Sequence, residues 1–403
     1  MKKLLKGWLQ SVLMNFAVRV LNQTHPDIIG VTGSVGKSSA KEAIFCVLKE
    51  KYKNKIIKSA GNFNSEIGTP LSILGFKLAP YLWQWPFILL IAFFRSYINE
   101  FNPLKNISIL VLEFAADMPG DIYYLTSFIK PKIAVITYIG EAHLEFFESI
   151  DAIAMEKANL VRALPYDGWS VLNFDNEYCR KIGSAKKDKV IFYGLNKKAD
   201  LWASNIEINK DGTNFILHSK IKEKEVHIKT IGKQQVYAVL AAICVGMKYN
   251  LEIDGIINSL TEYQSLPGRD LIIRGINDSY IIDSSYNANP TSMKAALETL
   301  RNIKTNGKKI AVLGGMKEIG KISSKAHKEI AETAQKIADQ VILVGDDFKS
   351  EKADKWFINS GQATDFLLDR IEKDDIILIK GSHALEMNII VVKLTDTNYK
   401  DTN

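Results

Sequence analysis

A glycine-rich stretch near the start of the chain combines the residue types that bind nucleotide phosphates. It runs Gly30-Val31-Thr32-Gly33-Ser34-Val35-Gly36-Lys37-Ser38-Ser39. Glycines let backbone N–H groups turn toward phosphate oxygens, while a lysine and the hydroxyl after it can reach the outer phosphates and a magnesium ion. Val31 stands where the strict loop spacing has glycine, so the loop is a variant. The sequence predicts nucleotide contacts from seven residues of this loop: Thr32, Gly33, Ser34, Gly36, Lys37, Ser38 and Ser39.

Such a loop must join a strand to a helix, and the surrounding pattern provides both. From Asp27 onward, short β-branched runs alternate with helical stretches, which predicts a mostly parallel sheet with crossover helices. The predicted strands cover residues 28–32, 107–113, 133–138 and 170–173. Alternating residues between 201 and 231, with a turn at Asp211-Gly212, predict a small antiparallel meander, and helices are predicted over 235–247 and 253–263.

A break at Pro267-Gly268 precedes a second α/β series, for which a Rossmann-like domain is predicted. Its strands are predicted near residues 281, 311–313, 341–344 and 376–379, with helices near 292–300 and 324–338. A chain of 403 residues, 47% of them hydrophobic, can fill two cores. We predict an amphipathic N-terminal helix over residues 1–25, a central P-loop NTPase-like domain over 26–265 with an apolar insertion at about 76–104, and a C-terminal domain over 266–403.

Composition narrows the functional classes. The net charge of +7 is modest for this length, so it does not indicate nucleic acid, and an anionic small substrate suits it equally well. Cys46, Cys179 and Cys244 are far apart and have no C-x-x-C spacing. Neither a disulfide framework nor a zinc site is therefore predicted, and a reducing cytosol is the expected compartment.

Two apolar stretches raise the question of a membrane. Apolar residues repeat at helical spacing over residues 1–21, where Gln10 and Asn15 interrupt the core that a signal peptide needs. Residues 78–97 hold several aromatic side chains and an apolar run of about nine residues, whereas crossing a bilayer takes about 20. The favoured interpretation is that both stretches pack on the body of the protein or on each other. The alternative is that residues 1–24 and 78–97 lie on a membrane or contact a partner protein.

The phosphate loop and several later segments, taken in order, resemble the Mur ligase family, whose phosphate loop has the sequence T-G-x-x-G-K-S. The matching segments are Gly61 to Pro70, Glu113 with Asp117, Gly120 and Asp121, Ala142 to Glu145 with Lys157, Leu266 to Arg269, Ser285 to Pro290, Gly314 to Gly320, and Lys380-Gly381-Ser382. Together they extend from about residue 28 to residue 390. They look most like the branch of the family that joins D-alanyl-D-alanine to UDP-N-acetylmuramoyl-tripeptide.

This resemblance implies an ATP-dependent, ADP-forming ligase of peptidoglycan precursor synthesis in the cytoplasm. Such an enzyme activates an anionic carboxylate substrate as an acyl phosphate and joins it to an amino acid or dipeptide. The implied catalytic residues are Lys37, His143, Lys157 and Arg269, with Asn287 and Asn289 as further nucleotide contacts. The implied metal residues, for two Mg²⁺ ions, are Ser38, Glu113, His143 and a carbamylated Lys157. The implied substrate contacts are Asn62, Asn64, Glu66, Lys380 and Ser382.

The chain also departs from the family pattern. Only about 30 residues precede the phosphate loop, where the family has a domain that grips the uridine nucleotide. Gly232 to Ala238 reads G-K-Q-Q-V-Y-A where G-x-H-N-x-x-N is typical, so Gln234 and Gln235 stand in the stretch associated with adenine. Ser284 replaces an acidic residue, Gly315 an aspartate and His383 an arginine. Two alternatives therefore stay open: a folylpolyglutamate- or poly-γ-glutamate-synthase-like ligase, and a nucleotide-binding scaffold with weakened catalysis.

Overall fold

The computed structural model describes residues 2–61, 63–185, 189–220 and 222–395. Its α-helices are α1 Lys2–Thr24, α2 Lys37–Tyr52, α3 Gly68–Ile73, α4 Trp85–Tyr97, α5 Asp121–Phe128, α6 Leu144–Phe147, α7 Ile150–Arg162, α8 Glu177–Ala185, α9 Lys233–Lys248, α10 Ile253–Leu260, α11 Pro290–Asn302, α12 Ser323–Gln335, α13 Ser360–Leu368 and α14 Asn388–Leu394. Its strands are β1 Asp27–Thr32, β2 Ile56–Lys58, β3 Ile109–Glu113, β4 Ile133–Ile136, β5 Trp169–Asn173, β6 Val190–Gly194, β7 Leu201–Asn209, β8 Gly212–Ser219, β9 Glu223–Ile228, β10 Leu271–Arg274, β11 Tyr280–Asp283, β12 Lys309–Gly314, β13 Gln340–Val344, β14 Lys355–Phe357 and β15 Ile376–Lys380.

Contacts divide the chain into two compact units that are interleaved along the sequence. Unit 1 contains Met1–Ile139, Ser149–Trp202 and Ala238–Ser259. Unit 2 contains Gly140–Glu148, Ala203–Tyr237 and Leu260–Asn403. The predicted domain boundary at residues 265–268 divides the chain at one point along the sequence, whereas these two units are interleaved. That boundary stays a prediction.

The sheet of unit 1 brings the phosphate loop and Glu113 to one edge. Strands β2, β3, β1, β4, β5 and β6 pair in that order, and every pair is parallel. In the register between β1 and β3, Val31 pairs with Glu113, and between β1 and β4, Thr32 pairs with Ile136. All five residues of β3 are buried, which fits a parallel strand covered on both faces. Because parallel strands end at the same edge, the residues after β1, β3 and β4 meet there.

Unit 2 contains an antiparallel hairpin and a six-stranded sheet. Strands β8 and β9 form the hairpin, and the sheet has the order β10-β11-β15-β12-β13-β14. Its β10–β11 pair is antiparallel and the other pairs are parallel. Successive residues of β12 enter different cores: Ala311 and Leu313 lie in one cluster, Ile310 and Val312 in the other. Both faces are thus buried, and the strands are continuously apolar for that reason.

The predicted α/β architecture is confirmed: a mostly parallel sheet, an antiparallel meander and a second α/β sheet. Several bounds differ by a few residues, as is usual at element ends. For example, β3 begins at Ile109 and β4 ends at Ile136. Strands β2, β6, β10 and β14 were not predicted, because they have three to five residues each and carry too few positions to show a period.

The two apolar stretches form helices α1 and α4, which pack on each other. Phe16 of α1 contacts Phe93 and Tyr97 of α4 edge to face, with ring centroids 6.3 and 6.4 Å away. Gln23 donates from Nε2 to the carbonyl of Ser96 at 2.9 Å. The favoured interpretation, packing on each other, is therefore confirmed for these helices. None of the helices within the described ranges has the length and apolarity needed to cross a bilayer.

Candidate active site

The phosphate loop is shaped by two glycines and fastened to the end of β4. Gly36 has a φ of +82° and immediately precedes α2, a conformation that favours glycine. At Gly33 a Cβ atom would lie 2.0 Å from Oγ1 of Thr137, so no side chain fits. That hydroxyl donates to the carbonyl of Val35 at 2.6 Å, and the N–H of Ser34 donates to the carbonyl of Tyr138 at 2.6 Å. The loop is therefore held in shape before any phosphate binds.

Side chains of the loop divide between structure and chemistry. Thr32 is buried, and its hydroxyl donates to the carbonyl of Phe114 at 2.8 Å, which ties β1 to the end of β3. Lys37 begins α2 and donates from Nζ to the carbonyl of Gly33 at 2.7 Å, so its ammonium group lies against the loop. Ser39 is half-buried on the first turn of α2. The helix N-terminus and the Lys37 ammonium group together favour an anion here.

Glu113 lies at the centre of a compact polar cluster. Its side chain is 2% exposed, and Ser38 Oγ donates to its Oε2 at 2.8 Å. Asn64 donates from Nδ2 to Oε1 at 3.1 Å, which brings one predicted substrate residue to the predicted metal carboxylate. Lys41 adds a buried cation, with Nζ 3.4 Å from Oε2.

Lys41 is a functional candidate that the sequence analysis missed. Its side chain is 1% exposed, and Nζ also donates to the carbonyls of Ser59 and Gly61 at 3.3 Å each. The available signal was its position four residues after Lys37, which places both lysines on one face of a helix. Its contact with Glu113 depends on chain segments far apart in sequence.

Lys157 is buried within α7 and is not a solvated surface residue. Its relative exposure is 2%. Burial, together with the nearby charge of Lys37 and against the opposing charges of Glu156 and Asp117, lowers the pKa of Lys157 from 10.5 to about 7. A large fraction of this amine is consequently neutral near pH 7, and a neutral amine is a nucleophile.

The neighbouring Glu156 has a structural role. Its carboxylate accepts the backbone N–H groups of Gly120, Ile122 and Tyr123 at 3.0, 2.7 and 3.1 Å. These groups belong to the start of α5, where a carboxylate satisfies N–H donors that have no partner within the helix. Glu156 thus fixes α5 to α7, the helix that carries Lys157.

The predicted substrate loop is only partly described. Asn62 lies outside the described residues, whereas Asn64 contacts Glu113 as above. Glu66 forms an ion pair with Lys6 of α1, with 3.6 Å between Nζ and Oε2. Burial raises the pKa of Asp121 to about 6, and the nearby charge of Glu66 adds to the increase. The predicted substrate loop therefore lies beside the N-terminal helix.

His143 belongs to unit 2, unlike Glu113 and Lys157. It has a φ of +57° at the start of α6, and its Nδ1 lies 2.8 Å from Oε2 of Glu318. The N–H of Glu145 donates to the carbonyl of Glu318 at 3.2 Å, which fastens the same loop. The contact between His143 and Glu318 was not predicted from the sequence.

Arg269 is preorganised by an aromatic ring. Its guanidinium carbon lies 4.0 Å from the ring centroid of Tyr286, a cation–π geometry. Its backbone carbonyl accepts Nε2 of Gln235 at 3.1 Å, and Oε1 of Gln235 accepts the hydroxyl of Tyr263 at 2.7 Å. Gln235 is 0% exposed, so its amide makes these hydrogen bonds in the interior of unit 2.

The two predicted nucleotide asparagines of unit 2 have local partners. Asn289 caps α11, its Oδ1 accepting the N–H of Ser292 at 2.9 Å. Oδ1 of Asn287 accepts the N–H of Ala288 at 2.8 Å. Both side chains therefore shape the loop that enters α11, and each keeps an amide group that these bonds do not use.

Lys380 fastens the same loop from behind. It is 5% exposed, and its Nζ donates to Oγ of Ser284 at 3.1 Å and to the carbonyl of Asn287 at 2.9 Å. Burial lowers the pKa of Lys380 to about 8, with Asp270 opposing the shift. Ser382 accepts the N–H of Lys317 at 2.8 Å through its hydroxyl. Both predicted substrate residues are thus well ordered by contacts within unit 2.

Asp283, which ends β11, and Ser284, which follows it, have different partners. Asp283 accepts the N–H of Gly268 at 2.7 Å and the hydroxyl of Ser285 at 2.6 Å, while Ser284 donates to Asp270 at 2.8 Å. The carboxylate of Asp283 consequently holds the turn before Arg269.

Unit 1 brings together Lys37, Ser38, Asn64, Glu113 and Lys157, and unit 2 holds His143, Arg269, Asn287, Asn289, Lys380 and Ser382. Within the described ranges, His, Cys, Asp and Glu side chains form no group of three or more that could hold a metal ion by themselves. Ser38 and Glu113 offer two oxygen donors to one ion. That small set suits Mg²⁺, which keeps several water ligands and takes phosphate oxygens as others.

The fold and this site define an α/β phosphate-loop protein with a second α/β unit. Two family models match it: the Mur ligase middle domain over residues 94–246, and the Mur ligase, glutamate ligase domain over residues 268–383. The UDP-N-acetylmuramoyl-tripeptide–D-alanyl-D-alanine ligase of Buchnera aphidicola subsp. Baizongia pistaciae (strain Bp) is 30% identical over 389 residues, which cover 94% of this chain and 78% of that protein. The chain belongs to the Mur ligase family, so the resemblance seen in the sequence is confirmed.

Two further relatives agree. The ligase of the same name from Bacillus subtilis (strain 168) is 29% identical over 398 residues, covering 96% of this chain and 80% of that one. The crystal structure of the MurF ligase from Thermotoga maritima in complex with ADP superposes with a TM-score of 0.81 and 27% identity, covering 95% of this chain and 83% of that chain.

Proposed function

We propose that this protein is an ATP-dependent ligase that joins D-alanyl-D-alanine to a UDP-N-acetylmuramoyl-tripeptide-like carboxylate in peptidoglycan precursor synthesis. The relatives named for this reaction support the substrates. One observation carries the chemistry: Ser38 and Glu113 lie 2.8 Å apart beside the phosphate loop, with the buried Lys157 close enough to Lys37 for their charges to interact.

In the proposed reaction, Lys37 and the N–H groups of the loop hold the β and γ phosphates of ATP. A carboxylate oxygen of the acceptor attacks the γ-phosphorus, ADP leaves, and an acyl phosphate forms. The amine of the dipeptide then attacks the acyl carbon, the amine proton is lost, and phosphate leaves as the amide bond forms. Arg269, held over Tyr286, stabilises negative charge on the transferring phosphoryl group.

Magnesium supplies charge neutralisation, without which two anionic reactants would repel each other. Ser38 and Glu113 would hold the first ion, and the family resemblance assigns Glu113, His143 and Lys157 to the second. The paired oxygens of Ser38 and Glu113 fit the first role directly. Within unit 2, Glu318 orients the ring of His143.

Lys157 is proposed to carry a carbamate. Carbamylation requires a neutral amine, because the nitrogen lone pair adds to CO₂ and one proton is released. A buried lysine whose pKa lies near 7 meets that requirement at neutral pH. The change converts a cation into an anion, which suits a position near the ammonium group of Lys37 and the proposed metal.

The substitutions around Gln235 do not favour the scaffold alternative. Its amide is engaged by Tyr263 and by the carbonyl of Arg269, so it positions the arginine segment. Adenine recognition therefore falls to other groups. Among the enzymatic alternatives, the names of the relatives above favour the cell-wall substrates over folylpolyglutamate chemistry. We further propose that the enzyme is cytoplasmic. Residues 1–24 and 78–97 would make a peripheral contact, either with the inner membrane face or with a partner protein.

The direct test is phosphate release by the purified full chain with ATP, Mg²⁺, UDP-N-acetylmuramoyl-tripeptide and D-alanyl-D-alanine, compared with a folate and glutamate pair. Phosphate release should require both cell-wall substrates. Lys37→Ala should reduce it at least about a hundredfold, because phosphoryl transfer depends on charge stabilisation. Lys49→Ala, an exposed lysine of the same helix, is the matched control and should leave the rate unchanged. Release with the folate pair alone would contradict the proposal.

A further inference from the structure

Helix α1, helix α4 and the turn that precedes α4 expose an unusually apolar set of side chains. It contains Trp8, Leu82, Trp83, Phe87, Leu90 and Phe94, which we call the apolar face. Leu82 is 90% exposed, Trp83 70% and Phe87 63%. Contiguous exposed apolar side chains of this size normally mark a binding surface.

Helix α4, which carries much of the apolar face, is held in place by contacts with α1 and with the segment that follows it. Arg19 of α1 lies 4.2 Å from the ring centroid of Tyr97, and that ring stacks on Phe93 at 4.5 Å. Asn102 donates from Nδ2 to Oε1 of Gln23 at 2.7 Å. Because these contacts fix the helix, the outward residues are presented as an ordered surface.

Charge around the apolar face indicates its partner. Residues 1–24 and 76–105 contain seven Lys and Arg residues and one acidic residue, Glu100, whereas the rest of the chain has 45 basic and 44 acidic residues. Six of the seven net positive charges of the protein therefore come from these two segments. Lys6, Lys77 and Lys105 are exposed there.

We propose that the apolar face docks on an anionic lipid surface, with α4 lying in the plane of the headgroups. Tryptophan and tyrosine beside an apolar helix, together with clustered cations, are the features that hold amphipathic helices at a membrane interface. A second copy of this chain fits less well, because pairing the face with itself would bring two basic surfaces together.

Docking would bring the predicted substrate loop to the lipid surface. Lys6 of α1 pairs with Glu66 at 3.6 Å, and the hydroxyl of Tyr124 donates to the carbonyl of Gln10 at 3.3 Å. The docked protein would therefore take its carboxylate substrate at the membrane surface. This consequence rests on the proposed ligase function, whereas docking itself does not.

Co-sedimentation of the full chain with vesicles, without ATP, tests the proposal. The protein should bind vesicles of phosphatidylcholine with phosphatidylglycerol, and added salt should weaken binding. Phe87→Glu and Leu90→Glu should each weaken it about tenfold or more, because each places a charge in the apolar contact. Tyr166→Glu is the matched control: Tyr166 is 97% exposed, lies outside the face and undergoes the same charge change.

Charge is tested separately. The double variant Lys77→Gln, Lys105→Gln should weaken binding about thirtyfold at low salt, since each cation near the surface contributes about 1 kcal/mol. The control Lys197→Gln, Lys198→Gln removes two exposed lysines between β6 and β7 and should bind normally. Tryptophan emission should also shift to shorter wavelength on binding, because three of the six tryptophans, Trp8, Trp83 and Trp85, lie in these segments.

Three outcomes would overturn the proposal: no vesicle binding by the unaltered protein, equal binding to purely zwitterionic vesicles at all salt concentrations, or a dimer in solution that Phe87→Glu dissociates while vesicle binding is absent. If the protein binds vesicles but shows no ligase activity, the result would count against the proposed function and not against membrane docking.

Discussion

Replacing Lys41 with methionine should destabilise unit 1 through the charge left on Glu113. The two side chains are 1% and 2% exposed, with 3.4 Å between Nζ and Oε2, so the pair is buried. Removing one partner of a buried pair typically costs about 3–5 kcal/mol. Ser38 and Asn64 would still donate to the carboxylate, which places the expected loss at the lower end, about 3 kcal/mol. Methionine keeps most of the side-chain volume, so little of the loss comes from a cavity.

The assay is urea unfolding followed by circular dichroism, with and without Mg²⁺ at the same ADP concentration. If Glu113 binds the metal, the divalent cation compensates part of the missing ammonium charge, and the difference between variant and unaltered protein should shrink when Mg²⁺ is present. Lys49→Met, on the exposed side of α2, is the control and should change stability by less than about 0.5 kcal/mol. A loss below about 1 kcal/mol for Lys41→Met, or a loss that Mg²⁺ leaves unchanged, would refute the reasoning.

Three further predictions concern buried polar groups. Between about pH 7 and pH 10.5, Lys157 binds a proton in the unfolded chain but not in the folded chain, so it makes the free energy of unfolding rise with pH. Lys157→Met should therefore flatten the pH dependence of stability in this range. An unchanged slope in urea titrations at several pH values would contradict this prediction. Glu156→Gln should lower the free energy of unfolding by about 1–3 kcal/mol, since an amide oxygen replaces the carboxylate that accepts three N–H groups of α5, and hydrogen exchange at Ile122 and Tyr123 should accelerate more than in α2. Gln235→Ala should cost about 1–3 kcal/mol by removing two buried hydrogen bonds, those of Gln235 with the Tyr263 hydroxyl and with the Arg269 carbonyl, and thermal unfolding that matches the unaltered protein would show that these contacts contribute nothing.

Local patterns predicted the phosphate loop and its setting. Glycines, a lysine and a hydroxyl between a strand and a helix are encoded within ten residues, so no distant contact is needed to recognise them. The position of Glu113 beside the phosphate loop could be predicted almost as directly, because β1 and β3 are parallel and their ends lie at one edge of the sheet. The family resemblance then ordered the later segments along the chain.

Contacts between distant segments could not be predicted in this way. Lys41 contacts Glu113 because the packing of α2 against β3 fixes which helix face meets the strand end. Glu156 reaches the N–H groups of α5 across more than thirty residues of sequence, and Gln235 is enclosed by Tyr263 and Arg269. Each depends on tertiary packing, which residue spacing within one element does not encode.

The surface shows the same limit. The net charge of +7 is modest, but most of it lies on α1 and on the segment around α4. These charges form one basic region only because α1 and α4 pack together, which the sequence does not show. Their aromatic contacts, formed between Phe16 and Phe93, join two stretches that the sequence presents separately.

The most direct test of the proposed acyl phosphate follows oxygen from the substrate. The acceptor is prepared with ¹⁸O in the carboxylate that becomes the amide, and inorganic phosphate is analysed by mass spectrometry after single turnovers. An acyl phosphate mechanism transfers one labelled oxygen to each phosphate released, and Glu113→Gln should abolish both the product and the labelled phosphate. Amide formation with unlabelled phosphate would contradict the account.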